Sequence, residues 1–596
     1  MDLKPLSTRT CLLLILLFGI AAYSNSLTGA FQFDDIPNIL ENRSLQPLDL
    51  GKLWIYHPLR FIVNLSFAFN IYLTGFATWG FHVVNLLIHI LASCVVFNLT
   101  LSILNTPAMK NWVPPAQQNL FAVVAALLFL THPVQTQAVT YIVQRLTSMA
   151  ALFYLATLWM YLKARLEDAR YYRVVFLLML AAMLTKEISF TLPFAILLSE
   201  LFFFPPSAED PLGKKLIRWL PFAAFLLIIP LLYLTNIHIF TRDSGSMNIL
   251  PSMAKNISRW DYFLTQFRVE RTYLRLLFFP VDQCLIYDYR LSKGWGDPDT
   301  WVAFSLLFSV LLLSLACFKK NRLLTFGVLW FFLTLSVESS FIPVPDLIFE
   351  HRLYLPTFGF VLFLTSLLWT LVRSVKWFTA VSLVITVVFS GMTYARNEVW
   401  KSKLSLAQDV VKKTPHKGIC YAGLGDAYRR EVKDYKAAAF CFQKALDLGF
   451  TTPLVFLNLS EIYFQLGDRE KSVYFKNIAL SFSVLRKTLS FYDNQALTLI
   501  NKGEYAEAVT MLKKDIQISP QNPWTYIQLG EAYRKMQQED EAVSSFRKAI
   551  ELAPLSQEGY NALAFFYKEK GDPQKAVDVL VEYLKFKKKH KPLFGN

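Results

Sequence analysis

The feature that most restricts this chain is a series of about eleven apolar runs, all before residue 400. A helix needs roughly 17 to 25 apolar residues to cross a bilayer, where each backbone group must be satisfied internally. The runs lie at about 11–27, 82–103, 119–132, 147–163, 172–186, 188–204, 216–236, 301–318, 322–340, 354–372 and 377–394. Several are short for a full crossing. The chain is 54% hydrophobic and only 17% charged, against about 25% charge in a soluble domain. These values exclude a disordered chain, a collagen-like chain and a small disulfide scaffold. They predict a polytopic membrane protein with length left over for a soluble domain. The first run does not read as a cleavable signal. It is long, and Phe31-Gln-Phe-Asp34-Asp35 follows where small residues would mark a cleavage site.

The net charge of +16 divides equally, +8 on each side of residue 400. No basic block dominates, which argues against a nucleic-acid footprint. Before residue 400 the basic residues collect in alternate connections: Lys4 and Arg9, Lys110, Lys163 to Arg173, Lys214 to Arg218, Lys319 to Arg322, and Arg373 with Lys376. Cytoplasmic loops collect Lys and Arg. The pattern therefore predicts a cytoplasmic N-terminus, an odd number of spans and an extracytoplasmic C-terminal part. The opposite connections carry mixed charge. The six cysteines are scattered without zinc-ligand spacing, although Cys420 and Cys441 could pair between antiparallel helices.

After residue 400 a 34-residue repeat takes over. Tyr526, Leu529, Gly530, Tyr533, Ala542, Phe546, Ala549 and Pro554 match the tetratricopeptide pattern. Equivalent markers are Tyr560, Leu563, Ala564, Tyr567 and Ala576 on one side and Tyr492, Ala496, Ala508, Leu512 and Pro520 on the other. Earlier copies hold Leu424-Gly425 with Tyr428, and Leu459 with Tyr463. Five repeats over about 416–590 predict a solenoid with one continuous core and a concave groove. The basic tail, Lys585 to Lys591, reads as the solvated end of a capping helix.

Five clusters could carry chemistry. Asp34-Asp35 could act as a general base or hold a cation; a helix cap or turn is the plainer account. His132-Pro133 through Arg145 could meet a phosphate, or simply anchor one helix and start the next. Lys186-Glu187 places two charges between short spans, where ionisable groups are costly; an ion pair along one helical turn competes with that reading. Glu350-His351-Arg352 offers a bidentate donor for an anionic headgroup, or a snorkelling side chain. Arg268, Arg271 and Arg275 repeat at helical spacing, as on an interfacial helix or at a lipid-phosphate site. By the charge rule all five face outwards, away from cytoplasmic nucleotides. No P-loop, strand-linked G-x-G-x-x-G or G-x-S-x-G elbow occurs. A lipid-phosphate-linked donor fits that location.

In order along the chain stand Phe33-Asp34-Asp35; Arg60-x3-Asn64; Trp79-Gly80-Phe81-His82 to Asn85 and His89; His132-Pro133-Val134 leading to Arg145; Lys186-Glu187; Tyr273-Leu-Arg275 to Pro280, then Tyr287-Asp288-Tyr289; and Arg352-Leu-Tyr354-Leu-Pro356. With the appended repeats, this set resembles the transmembrane and tetratricopeptide-repeat O-mannosyltransferases (TMTC) within the GT-C glycosyltransferases, over nearly the whole chain. Eukaryotic members are usually longer, so five repeats point to a bacterial relative. The resemblance implies an all-α fold: a GT-C-like membrane domain over 1–400 and a repeat domain over 401–596. It implies hexosyl transfer, mannose-like, from a polyprenyl- or dolichyl-phosphate sugar to Ser/Thr hydroxyls of extracytoplasmic proteins, with inversion. Asp34 or Asp35 would be the base, Asp35 slightly preferred. Arg145, Lys186, Arg275 and Arg352 would hold the donor phosphate, supported by Arg60, His82, His132, Glu187, Glu350 and His351. No metal site is implied, although a divalent cation could assist. The repeats would bind the acceptor polypeptide. The expected setting is a bacterial inner membrane with periplasmic repeats, or the endoplasmic reticulum with lumenal repeats. Two alternatives stay open: transfer to a glycan or lipid with the repeats recruiting partners, and a non-catalytic peptide-binding scaffold.

Overall fold

The structure is a computed structural model that describes residues 5–208, 210–235, 257–344, 346–481, 491–518, 520, 522–554 and 556–589. Among the described residues the regular elements are all helices. The chain divides into two compact units, Met1–Asp409 and Val410–Asn596. Of the expected outer segment 237–300, residues 237–256 lie outside the described residues, as does the end of the basic tail.

In the first unit, six described helices are long and apolar enough to cross a membrane, or seven if the bent pair Pro115–Thr131 and Pro133–Thr140 counts as one. Tyr171–Met183, Arg322–Leu335 and Pro356–Val372 are apolar but shorter. This makes a multi-pass membrane protein. All eleven apolar runs are helical, yet the run at 188–204 yields only the short helix Leu192–Phe203 after a 3-10 turn.

The unit is apolar outside and partly polar inside. Leu17, Trp79, Leu91, Leu177, Leu313 and Val384 are exposed on the apolar helices, while Asn85, His89 and Arg145 are buried. That is the arrangement a lipid solvent selects, since hydrocarbon cannot satisfy a polar side chain. Helix Thr78–Leu104 packs against Pro115–Thr131 and Arg145–Leu166. Helix Thr8–Tyr23 packs against Pro115–Thr131 and Val375–Val399. Arg322–Leu335 and Pro356–Val372 cross where two glycines meet. A Cβ on Gly327 would lie 2.3 Å from the Gly359 carbonyl oxygen, so only hydrogen fits. Buried Glu200 accepts from Arg165, Lys215 and Arg218 at 3.0, 3.4 and 2.8 Å and so ties three helices.

In the second unit, helix pairs follow one another from Gly418–Ala427 to Pro573–Lys589. The turn inside each pair holds one residue with positive φ: Lys433, Gly467, Gly503, Gln537 and Gly571. These left-handed turns, at 433, 467, 503, 537 and 571, recur at nearly the repeat length read from the sequence. Among the described residues buried apolar side chains cluster from Ala438 to Ala479 and from Ala496 to Tyr583, and helix Arg469–Ser481 of the first group packs against Pro523–Lys535 of the second. Cys420 and Cys441 are both buried and are not joined in a disulfide.

Candidate active site

The Asp34-Asp35 turn follows the first apolar helix. Phe33, just before it, has φ +27°, a strained conformation for a bulky residue, costing about 1–3 kcal/mol. Asp35 is fully buried. Its Oδ2 accepts the Gln32 N–H at 2.8 Å and its Oδ1 the Val143 N–H at 2.7 Å. Burial pushes its carboxyl up to about 8 against the pull of both amides. Asp35 is thus a tie between the turn and the segment before Arg145. Asp34 is exposed. Its N–H donates to the Tyr141 hydroxyl at 2.8 Å. Desolvation by neighbouring protein raises its carboxyl above the ordinary value, while the Tyr141 hydroxyl and the Arg60 charge oppose the rise. Of the two, Asp34 has the carboxylate available to a ligand, which reverses the slight preference for Asp35.

Lys186 and Glu187 do not pair along a turn; they face different partners. Burial raises the Glu187 carboxyl, but Arg60 and His57 outweigh it and hold the group below its usual value. His57 is pushed down to about 4, by burial first and then by Arg60. Lys186 turns the other way. Its Nζ donates to Thr147 Oγ1 at 3.1 Å and pairs with Glu338 at 3.1 Å. Arg352 approaches the same Glu338 oxygen at 3.9 Å and donates to the carbonyls of Leu347 and Asp346 at 3.1 and 2.9 Å. Tyr262 donates to the Glu338 carbonyl and Tyr273 to the Phe349 carbonyl. Glu338 thus joins Lys186 and Arg352, while the Arg60 charge acts on both Asp34 and Glu187.

The other expected site residues are engaged by protein groups. Arg145 is fully buried. It donates to Asn85 Oδ1 at 2.7 Å, Asn70 Oδ1 at 2.8 Å, the Phe81 carbonyl at 3.1 Å and Ser66 at 3.3 Å, with its guanidinium over Phe67. Those contacts make it a rivet between helices and leave no donor for a phosphate, which corrects its expected role. Arg275 is exposed and donates to the Val281 carbonyl at 3.1 Å. Glu350 is also a tie: its oxygens accept from Gln283 at 2.9 Å and from the Cys284 N–H and the Tyr287 hydroxyl at 2.6 Å each. His82 bonds the Gly29 carbonyl at 3.1 Å and His132 the Leu277 carbonyl at 2.9 Å, so both brace the fold. His351 stacks on Phe349, and its N–H donates to Gln137 Oε1 at 2.7 Å.

Three participants escaped the sequence reading. Glu338 was hidden at the end of an apolar run, where a lone carboxylate is itself a signal. Tyr141 and His57 carry no spacing that marks them. For a metal the residues do not fit: both Asp35 oxygens are engaged by amides, and among the described residues no three His, Cys, Asp or Glu converge.

The repeats match family patterns described as TPR repeat over 496–537 and Tetratricopeptide repeat over 525–554 and 545–578. Over 94% of its length the chain is 22% identical to human "Protein O-mannosyl-transferase TMTC3", covering 66% of that protein. Over 72% it is 25% identical to Drosophila melanogaster "Protein O-mannosyl-transferase Tmtc3", covering 54%. The chain thus spans between about half and two thirds of these relatives' length. They bear out the resemblance read from its motifs. Among solved structures, MamA from Desulfovibrio magneticus RS-1 is 15% identical over 32% of this chain and 85% of that one. Its TM-score of 0.14 is too low to define a shared fold.

Proposed function

We propose that this protein is an integral-membrane glycosyltransferase. It moves a mannose-like hexose from a polyprenyl-phosphate carrier to Ser/Thr hydroxyls of extracytoplasmic polypeptides. The observation that carries the reading is the placement of Asp34. Its exposed carboxylate, raised by desolvation, lies in the field of Arg60, which also acts on Glu187, the neighbour of Lys186 in sequence; Lys186 and Arg352 share Glu338. The similarity to proteins named O-mannosyl-transferases supports the acceptor class.

In this mechanism Asp34 takes the proton of the acceptor hydroxyl as its oxygen attacks the anomeric carbon. The bond from that carbon to the donor phosphate oxygen breaks, and the leaving polyprenyl phosphate keeps the electron pair. Lys186 and Arg352 neutralise it. A single displacement inverts the anomeric centre. Asp35 and Arg145 hold the turn and the helices in place without touching substrate. The repeats bind the acceptor chain, and the active face lies outside the cytoplasm, as the basic connections imply.

The test is transfer of labelled hexose from a polyprenyl-phosphate hexose to total extracytoplasmic protein by the purified full-length chain. Asp34→Asn should lower the rate by about 10²–10⁴-fold while leaving the melting temperature unchanged. Label appearing in lipid or glycan alone would overturn the protein-acceptor reading, and undiminished transfer by Asp34→Asn would overturn the role of Asp34.

A further inference from the structure

The pairing of Glu338 carries an inference that rests on the reading of Lys186 and Arg352 as the donor-phosphate site. Both cations are buried, and they share this one carboxylate, at 3.1 and 3.9 Å. Around it stand polar groups with unused capacity. Gln137 and Gln266 are 1% and 2% exposed, and each has a side-chain Nε2 without a hydrogen-bond partner. His351 Nδ1 is buried and unpaired as well. These groups belong to one neighbourhood. Gln137 Oε1 accepts from the His351 N–H, and His351 lies in the field of Lys186 and Arg352. Gln266 Oε1 accepts from Ser339, next to Glu338. A buried amide N–H₂ left unpaired costs free energy comparable to a lost hydrogen bond. One is tied through His351 to the turn that carries Arg352, the other through Ser339 to the neighbour of Glu338, so this neighbourhood holds more donors than the single carboxylate can occupy. A tetrahedral phosphate brings more acceptor oxygens than a carboxylate does.

We propose that Glu338 is an internal stand-in for the ligand phosphate. It neutralises Lys186 and Arg352 when the site is empty and is displaced when a phosphate ester enters, and Gln137 and Gln266 then donate to the phosphate oxygens. Glu338 is therefore a positioning residue that sets the affinity of the site. It keeps the two buried cations paired in the free protein, and its displacement opposes tight retention of the released carrier phosphate.

The experiment measures binding of a long-chain polyprenyl monophosphate to the full-length protein in detergent. Inorganic phosphate and phosphatidylglycerol serve as parallel probes, and ligand-induced shifts in melting temperature as a second readout. Glu338→Gln should bind the polyprenyl phosphate at least about fivefold tighter, because the competing anion is gone. Its unliganded melting temperature should fall and its ligand-induced shift should grow. Glu338→Asp, with the charge drawn back by one methylene, should fall between. Gln137→Leu and Gln266→Leu should each bind about fivefold more weakly. A gain shared by inorganic phosphate assigns recognition to the phosphate group itself. A gain confined to the polyprenyl ester assigns it to the lipid-linked form, and either keeps Glu338 as the stand-in. Weaker or unchanged binding by both Glu338 variants overturns the proposal. Unchanged affinity in the Lys186→Met/Arg352→Met double variant would instead overturn the underlying phosphate-site reading, so the two failures are distinct.

Discussion

Neighbouring aspartates in one turn do different work because their hydrogen-bond partners differ. Asp35 spends both oxygens on backbone amides, whereas Asp34 keeps its carboxylate accessible beside Tyr141 and Arg60. Asp35→Asn should therefore cost about 1–3 kcal/mol of stability, since its amide N–H₂ must face a backbone N–H. Asp34→Asn should stay within about 0.5 kcal/mol. Thermal unfolding of the two variants in one detergent separates them. A pH profile follows from the same residue. The base must be ionised, so transfer falls as pH drops through the Asp34 pKa, which lies above the ordinary carboxylate value. Arg60 stabilises the ionised form; Arg60→Gln should therefore move this acid limb to higher pH, read from the pH dependence of kcat/KM. The sequence placed Asp34, Lys186 and Arg352 in a site by residue type and order. It had no means to exclude Arg145, because only three-dimensional packing shows that Asn70, Asn85, Phe81 and Ser66 use up its donors.

Elements in the membrane unit are positioned by close contact and by internal polar ties. The crossing of Arg322–Leu335 and Pro356–Val372 depends on hydrogen at Gly327 and Gly359. It holds the start of the second helix next to the Glu350-His351-Arg352 turn. Gly327→Ala should force the helices apart and cost about 1–3 kcal/mol, read as a lower melting temperature. Transfer should fall in parallel, since Arg352 sits at the end of that helix pair. The apolar runs announced every one of these helices, because hydrophobic length is a local property. They did not give the number of full crossings. A 13-residue helix such as Tyr171–Met183 and a helix bent by 49° at His132 both look like spans in a hydropathy reading.

Across the whole molecule, a helical membrane unit with buried polar ties is followed by a unit of successive helix pairs. The 34-residue markers revealed the repeats because each copy must bury the same small and large residues. The spacing of the copies is not uniform. The small residue of the first helix recurs at Gly425, Ser460, Ala496, Gly530 and Ala564, so the register is a strict 34 residues only in the last three copies. Phe546→Ala should remove about 3–5 kcal/mol from the repeat unit. Hydrogen exchange should then rise most across Ala496–Tyr583, the cluster that holds Phe546; unchanged exchange there would contradict that packing.

The central claim is that Asp34 drives sugar transfer to proteins outside the cytoplasm. Its most direct test is to weigh intact glycoproteins and glycolipids from cells that carry the wild-type chain or Asp34→Asn at matched membrane levels. The account predicts a hexose-sized loss on one or more extracytoplasmic proteins, with glycolipid masses preserved. Identical masses for every glycoconjugate in the two strains would contradict it.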